Sequence, residues 1–121
     1  MFLKLNHQKL DAYSFSKTLV LEYYKLTKYL PTEERFGMIS QIRRAALSVH
    51  LNIAEGASRK SETERKRFYE IARGSLVEID AALDIATELK YLDKIVIDSL
   101  GVSLIRTFKI LTGLIGSKVS Y

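Results

Sequence analysis

This chain of 121 residues contains no cysteine, which excludes disulfides, thiolate metal sites and a cysteine nucleophile. The absence is consistent with a reducing compartment, and we expect a cytoplasmic protein. Long apolar runs are also missing: none approaches the roughly 18 residues of a membrane span, so no membrane partner is expected. The opening segment, Met1 to Asn6, has no long apolar stretch, and the sequence predicts no secretory signal. Proline occurs once and glycine six times, so we expect long uninterrupted elements.

The residues that are present have the composition of a soluble globular protein. Apolar residues make up 47% of the chain and charged residues 27%. A chain of this length can bury a core without disulfides or a metal. The formal net charge of +5 favours anionic partners only mildly. We therefore expect a single domain that covers residues 1–121.

Apolar residues recur at spacings of three and four along four segments, a pattern typical of amphipathic helices. The first helix is predicted at about 7–30, because the residue before Pro31 is disfavoured in a helix. The second is predicted at about 33–57. Thr32 is its expected N-cap, Phe36 opens its apolar stripe, and Gly56 suits its C-cap.

The last two helices also have predicted caps. The third is predicted at about 61–90, because Ser61 and Glu64 have the spacing of a capping box. The fourth is predicted at about 94–117, with Asp93 as its cap. Short connections favour antiparallel neighbours. The predicted fold is therefore all-α, an antiparallel up-down-up-down four-helix bundle.

Polar residues occupy helix faces on which the apolar periodicity predicts burial. Asn52 and Glu55 are three residues apart, so they share a face of the second helix. A buried carboxylate needs a partner, and Arg59 or Arg73 would be near enough in a helical hairpin. The favoured interpretation is a polar lock on the turn between helices two and three, or on a subunit interface. A ligand or RNA contact is the alternative.

Gly74 and Ser75 lie in the middle of the third predicted helix, where glycine costs about 1 kcal/mol relative to alanine. Close approach of another helix would offset that cost. The Ser75 hydroxyl is expected to bond across to that helix or back to its own. The predicted polar lock consists of Asn52, Glu55, Arg73 and Ser75.

The sequence contains no motif for catalysis or metal binding. A catalytic role for Ser75 is disfavoured, because neither His7 nor His50 stands in a supporting context. Lys4 and Leu47 precede the two histidines by three positions, so the Glu-x-x-His pairs of a di-iron bundle are absent. We therefore expect no enzymatic activity, no cofactor and no metal. An acidic ridge on the third helix, interpreted as a solvated or interface face, consists of Asp80, Asp84 and Glu88.

The predicted topology separates the charges along the bundle, and basic clustering is the electrostatic signature of phosphate binding. The candidate nucleic-acid-binding residues flank the turn between helices two and three: Arg59, Lys60, Arg65, Lys66 and Arg67. The basic end of the bundle comprises these five with Lys4, Lys9 and Lys118. The acidic end comprises Glu33, Glu34, Asp80, Asp84, Glu88, Asp93 and Asp98. The alternative interpretation of the basic end is a solvated helix terminus.

Two motifs lie in helices two and three, together with residues around them: Arg43-Arg44-Ala45-Ala46, Ser48, Asn52-Ile53-Ala54-Glu55-Gly56, Ser61, Phe68, Ile71-Ala72, Gly74-Ser75 and Glu78. In these residues the chain resembles the four-helix bundle family encoded in 23S rRNA intervening sequences. The accessory variability determinant proteins of diversity-generating retroelements are similar. The resemblance implies a homopentamer, a role with nucleic acid and no known enzymatic activity. The family commonly has proline at the position of His50.

Three functional hypotheses follow. The leading one is a non-enzymatic oligomeric bundle that binds RNA or DNA through its basic end without strong sequence specificity. The second is a scaffold that docks a partner protein such as a reverse transcriptase, and the third and weakest is a small-molecule hydrolase or metal enzyme. Self-association is expected because several apolar residues fall outside a single helical stripe. These residues are Val20, Tyr24, Leu47, Leu51, Leu76, Val77 and Ile105.

Overall fold

The structure, a computed structural model, describes residues 1–5 and 10–116. Four helices form it: α1 (Asp11–Thr27), α2 (Met38–Ala57), α3 (Glu62–Glu88) and α4 (Lys94–Gly116). A short 3-10 helix, Thr32–Glu34, lies between α1 and α2. Across the two described ranges there is no strand, so the all-α prediction is confirmed. His7, Lys9, Lys118 and the predicted final residue of the fourth helix, Ser117, lie outside the described residues.

The four helices pack as a closed cycle in which consecutive helices are neighbours and α4 returns to α1. The hydrogen bonds show the directions. Arg43, near the start of α2, donates to Thr27 at the end of α1. Arg73, in the first half of α3, donates to Thr112 near the end of α4. Neighbouring helices are therefore antiparallel, as an up-down-up-down bundle requires.

The core is apolar, and Tyr23 is its largest fully buried side chain. This side chain is fully buried together with Leu19, Ile42 and Ile79. Its hydroxyl donates to the backbone carbonyl of Leu100 in α4, at 3.1 Å. Burial raises the pKa of Tyr23, and the nearby carboxylates act in the same direction. The phenol therefore packs as an apolar side chain whose one donor is satisfied.

The start of α2 differs from the prediction, because the helix begins at Met38 and not near residue 33. Thr32 makes no side-chain cap and lies in the 3-10 helix. Instead the Glu34 carboxylate accepts from the Met38 N–H, at 3.3 Å. The 3-10 helix and the non-helical backbone of Gly37 (φ −106°, ψ −104°) rotate Phe36 out of the α2 stripe. Phe36 is consequently 89% exposed and not part of the core.

The other two predicted N-caps are present. The Ser61 hydroxyl accepts from the Glu64 N–H, at 3.1 Å, directly before α3. The Asp93 carboxylate accepts from the Val96 N–H, at 3.0 Å, at the start of α4. Each cap satisfies a backbone donor that has no partner within its own helix. The sequence rules therefore located both helix starts.

At Gly56 and Gly74 the structure differs from the sequence prediction. Gly56 does not cap α2, whose C-cap is Ser58. It is buried, and a Cβ there would lie 2.9 Å from both Phe68 Cβ and a Tyr69 ring carbon. A Cβ at Gly74 would meet nothing within 4 Å in the described chain. The close approach of a second helix is therefore at Gly56.

Each groove between neighbouring helices is crossed by an arginine stacked on an aromatic ring. Such contacts are electrostatic and also bury the arginine stem against the ring. Each contact links one pair of neighbouring helices and orders the guanidinium group of its arginine over the groove between them. The guanidinium-to-ring distances are 4.8 Å for Arg43–Tyr24, 4.9 Å for Arg59–Phe68, 5.8 Å for Arg73–Phe108 and 4.9 Å for Arg106–Phe15.

Candidate nucleic-acid interface

The turn between α2 and α3 brings the five candidate nucleic-acid-binding residues to one end of the bundle. Arg59 and Lys60 lie in the turn itself, and the other three lie in the first turns of α3. The tight contact of Gly56 against Phe68 keeps the two helices close at this end. The five cations are therefore neighbours in space as well as in sequence.

Arg59 is already engaged within the chain. Its Nη2 lies 2.7 Å from Glu55 Oε1, and its guanidinium stacks on the Phe68 ring at 4.9 Å. Both members of the ion pair are substantially solvated, and exposed pairs of this kind contribute about 0–1 kcal/mol. A phosphate would have to compete with Glu55 for this guanidinium.

Arg65 holds the turn together. Its Nη1 donates to the backbone carbonyls of Arg59, at 3.2 Å, and Lys60, at 2.8 Å. These carbonyls lie beyond the end of α2, where no helical donor reaches them. Arg65 therefore shapes the surface that carries the other cations.

The remaining three cations differ in their availability. Lys66 Nζ lies 2.8 Å from Glu62 Oε1, and this hydrogen bond lowers the pKa of Glu62. Lys60 and Arg67 are exposed, and their side chains form no ion pair with any described residue. Of the five candidate residues, Lys60 and Arg67 are consequently the cations that are free to bind an anion.

The polar residues predicted as a lock fall into two groups. Asn52 Nδ2 donates to Ser48, to its carbonyl at 2.9 Å and its hydroxyl at 3.1 Å. The Ser75 hydroxyl lies 3.0 Å from the Ser48 hydroxyl and 3.3 Å from the Ile71 carbonyl. Ser48 therefore connects Asn52 on α2 with Ser75 on α3. Its position four residues before Asn52, on the same helix face, was the signal that could have identified it.

Glu55 and Arg73 do not belong to this network within one chain. Glu55 is exposed and pairs with Arg59, whereas the prediction placed it among buried groups. Arg73 faces α4, where Nη1 donates to Thr112 at 3.2 Å and the guanidinium stacks on Phe108. Helix geometry explains the separation, because Arg73 and Ser75 project from α3 about 160° apart, toward α4 and α2.

A serine and a histidine that the sequence did not connect lie in contact between α1 and α2. Ser16 Oγ is 2.7 Å from His50 Nδ1, and the Tyr13 and His50 rings are 4.4 Å apart. Ser16 is fully buried and also donates to the Tyr13 carbonyl, at 3.0 Å. A serine nucleophile must be accessible to its substrate, and the Ser16 hydroxyl is enclosed. Its contact with His50 therefore serves the packing of α1 on α2. Helix α2 continues through His50 without a break.

A sequence profile of the 23S rRNA-intervening sequence protein family matches residues 8–113. The chain belongs to this family. A crystal structure of a protein with unknown function from the S23 ribosomal protein family of Bacteroides thetaiotaomicron is similar to it. That structure is 22% identical, with a TM-score of 0.81, and the alignment covers 88% of this chain and 99% of the other. The likeness shows a shared fold. No curated protein matches the chain.

In this member of the 23S rRNA-intervening sequence protein family, the other surfaces are grooves between helices. One, between α1 and α4, has a volume of about 280 Å³ and contains Glu22 and Arg106. Another, between α3 and α4, has about 350 Å³ and is mainly apolar. Within residues 1–5 and 10–116, no three His, Asp or Glu side chains are grouped to hold a metal ion. Among the described helices, none has the length and apolar character needed to cross a membrane.

Proposed function

We propose that this family member is a non-enzymatic, oligomeric four-helix bundle that binds nucleic acid, RNA foremost, through its basic end. The clustering of cations at one end of the bundle supports this most directly. Six described cations belong to the basic end, although Glu55, Glu62 and Glu64 lie among them. The acidic end has seven carboxylates, from Glu33 in the 3-10 helix to Asp98 in α4, and the cations among them are Lys28, Arg35, Lys90 and Lys94. A polyanion such as RNA would therefore bind across the basic end of the bundle.

Phosphate contacts would be made by the exposed cations of the turn. Lys60 and Arg67 are free to bind, Lys66 can exchange Glu62 for a phosphate, and Arg65 keeps the turn in shape. Contacts of this kind gain their free energy from counterion release and carry no base information. Phe68 lies beneath the Arg59 guanidinium and is not open for base stacking. Binding is therefore expected to be weakly dependent on sequence.

Self-association would strengthen a weak single-chain interaction. A ring of subunits repeats the basic end, so a long RNA could contact several copies at once. The family resemblance indicates five subunits. Support from the fold comes from apolar side chains that remain exposed on the bundle, including Leu51, Val77 and Ile105.

A scaffold that docks a partner protein, such as a reverse transcriptase, is the second candidate. It is favoured by the outward face of α3, where Ile71 and Ile85 are exposed on either side of Gly74 and Ala81. Small residues between larger apolar ones allow another helix to approach closely. A relation to the accessory variability determinant proteins of diversity-generating retroelements belongs to this second proposal.

Binding of the purified protein to unrelated single-stranded RNAs across a salt series tests the first proposal. We expect similar affinities for all sequences and a steep, linear fall of the logarithm of affinity with the logarithm of salt concentration. No measurable binding at low salt, together with a protein partner that is retained after nuclease treatment, would instead establish the scaffold.

A further inference from the structure

The groove between α1 and α4 is lined by one anion and one cation that do not pair with each other. Its volume is about 280 Å³, and among its lining residues Glu22 of α1 and Arg106 of α4 carry the charges. Neither side chain forms a salt bridge with any residue that the structure describes. Pockets for drug-sized ligands measure about 300–1,000 Å³, so this groove suits a smaller molecule.

The Glu22 carboxylate is held by a hydrogen bond across the groove. The buried Ser103 hydroxyl donates to Glu22 Oε2 at 2.7 Å, and its distance to the Leu100 carbonyl of its own helix is longer, 3.3 Å. A short hydrogen bond to a carboxylate is strong and directional. Glu22 Oε1 has no donor among the described residues. It is therefore an oriented acceptor that a cationic group of a ligand can use.

The Arg106 guanidinium is oriented as well, because it stacks on the Phe15 ring at 4.9 Å. Stacking occupies one face of the guanidinium and leaves the N–H groups along its edge available. No carboxylate in the described part of the chain pairs with them. The fork of N–H donors matches the two oxygens of a carboxylate. Arg106 is therefore an oriented donor for the carboxylate of a ligand.

The two charges are separated along the groove by a distance that a short zwitterion can span. The hydrogen bond sets Ser103 level with Glu22. Arg106 is one turn, about 4.5 Å, from that level toward the basic end, and Phe15 is about 10 Å from it in the same direction. The guanidinium, which reaches from Arg106 to Phe15, therefore lies about 5–10 Å from Glu22 along the axis. An α-amino acid spans about 3 Å from nitrogen to carboxylate oxygen, and a hydrogen bond of about 2.8 Å at each end extends this to about 8–9 Å.

The other lining residues suit a small ligand of mixed character. Thr18 and Ser99 add hydroxyl groups, and Phe15 and Val102 offer apolar contact to carbon atoms. A lone anion would be repelled by the carboxylate of the groove, and a lone cation would be repelled by its guanidinium. A ligand that carries both charges gains a charged hydrogen bond at each end.

We infer that the α1–α4 groove binds a free amino acid, with the ammonium group on Glu22 and the carboxylate on Arg106. The side chain of the ligand would lie against Phe15 or Val102. Neither charged residue belongs to the basic end, so this site is separate from the proposed nucleic-acid surface. The inference therefore does not depend on RNA binding.

Nuclear magnetic resonance of the isotope-labelled protein, titrated with each standard amino acid in turn, tests for the site. We expect at least one amino acid to shift the backbone amides of Thr18 and Ser103 saturably at millimolar concentration. Acetate and methylammonium carry the two charges on separate molecules. Each should bind about tenfold more weakly or worse, since it makes one charged hydrogen bond where the amino acid makes two. No saturable shift with any amino acid, or acetate binding as tightly as the amino acid, would overturn the inference.

Two substitutions assign the charged groups. Arg106→Gln removes the partner of the carboxylate. Glu22→Gln removes the partner of the ammonium group, while its amide oxygen can still accept from Ser103. Each should weaken amino-acid binding by about tenfold or more. The matched controls, Lys109→Gln and Asp98→Asn, remove the same charges from exposed positions of α4 outside the groove and should bind as the parent does.

A basic-end variant separates this inference from the proposed function. Lys60→Gln/Arg67→Gln should keep the parental affinity for the amino acid, because neither residue lines the groove. Equal losses of amino-acid affinity in the groove variants and their controls would contradict the site. RNA binding by the same proteins is a separate measurement, so either proposal can fail while the other stands.

Discussion

The two ends of the bundle are built differently. At the basic end, α2 and α3 meet through a short turn, with Gly56 packed against Phe68 and Arg65 bonded to the turn carbonyls. At the acidic end the connections are longer and depend on polar contacts, among them a 3.0 Å hydrogen bond from Tyr91 to Glu34. Lys90 there adopts φ 61°, a left-handed conformation that favours glycine. Both ends use side-chain hydrogen bonds, and the close helix contact at Gly56 is the feature that distinguishes the basic end.

At both ends, fewer charged side chains are available to bind a ligand than the sequence contains, because several already have partners within the chain. At the acidic end, Glu34 and Asp93 accept hydrogen bonds at the starts of α2 and α4. At the basic end, Arg59 pairs with Glu55 and Arg65 supports the turn. Charged side chains that have partners within the chain stabilise the local structure of each end. The exposed side chains without such partners are the ones available to bind other molecules.

Replacing Gly56 or Gly74 by alanine should give the largest difference in stability between the close-packed basic end and the exposed surface of α3. Gly56→Ala places a methyl group 2.9 Å from Phe68 Cβ, so we expect a loss of about 1–3 kcal/mol in the free energy of unfolding. Gly74→Ala meets no neighbour and should add up to about 1 kcal/mol through helix propensity. Urea unfolding of both variants measures the difference. Equal effects of the same sign would contradict the assignment of the close contact.

Two arginines in the first turns of α3 should differ in the same assay. Arg65→Gln loses hydrogen bonds to two turn carbonyls and should cost about 1 kcal/mol. Arg67→Gln, the matched control, removes the same charge from an exposed position and should change stability by less than about 0.5 kcal/mol. Comparable losses in both variants would mean that Arg65 does not hold the turn.

A smaller effect is expected at the acidic end, where the hydrogen bond to Glu34 raises the pKa of Tyr91. A pKa that is higher in the folded protein contributes stability below the unfolded value of about 10, and this contribution disappears as the pH rises above it. Tyr91→Phe should therefore lower the Tm at pH 8, and the difference should shrink above pH 10. Thermal melts of both proteins across this pH range measure it. A difference that grows with pH would contradict the hydrogen bond.

The sequence predicted the four helices, their order and the caps at Ser61 and Asp93, because apolar spacing and capping act locally. It misplaced Phe36, since a 3-10 helix before α2 depends on how the chain crosses from α1. It also placed Leu76 outside the core, although this side chain is fully buried. It made no prediction for Thr107, which is fully buried and donates to the carbonyl of Ser103 in its own helix, at 2.8 Å.

The candidate site was predictable in part, for a similar reason. Sequence order placed the basic residues around one turn, but it did not show which of them have partners. Of the two arginines that the sequence offered as partners of Glu55, Arg59 pairs with it locally, four residues along the chain. The contact of Arg73 with α4 depends on side-chain direction across the bundle. Ser48 lies four residues before Asn52, which the sequence shows, but its contact with Ser75 depends on how α2 packs on α3.

RNA affinity measured across a salt series for three proteins tests the central claim, nucleic-acid binding by the basic end, most directly. The parent is compared with Lys60→Gln/Arg67→Gln and with Lys28→Gln/Lys94→Gln, which removes the same charge from exposed positions near the acidic end. We expect the first variant to bind unrelated RNAs more weakly by similar factors, with a salt slope reduced by roughly 0.7 per lost phosphate contact. The second should bind as the parent does. Equal losses in both variants, or no loss in either, would contradict binding at the basic end.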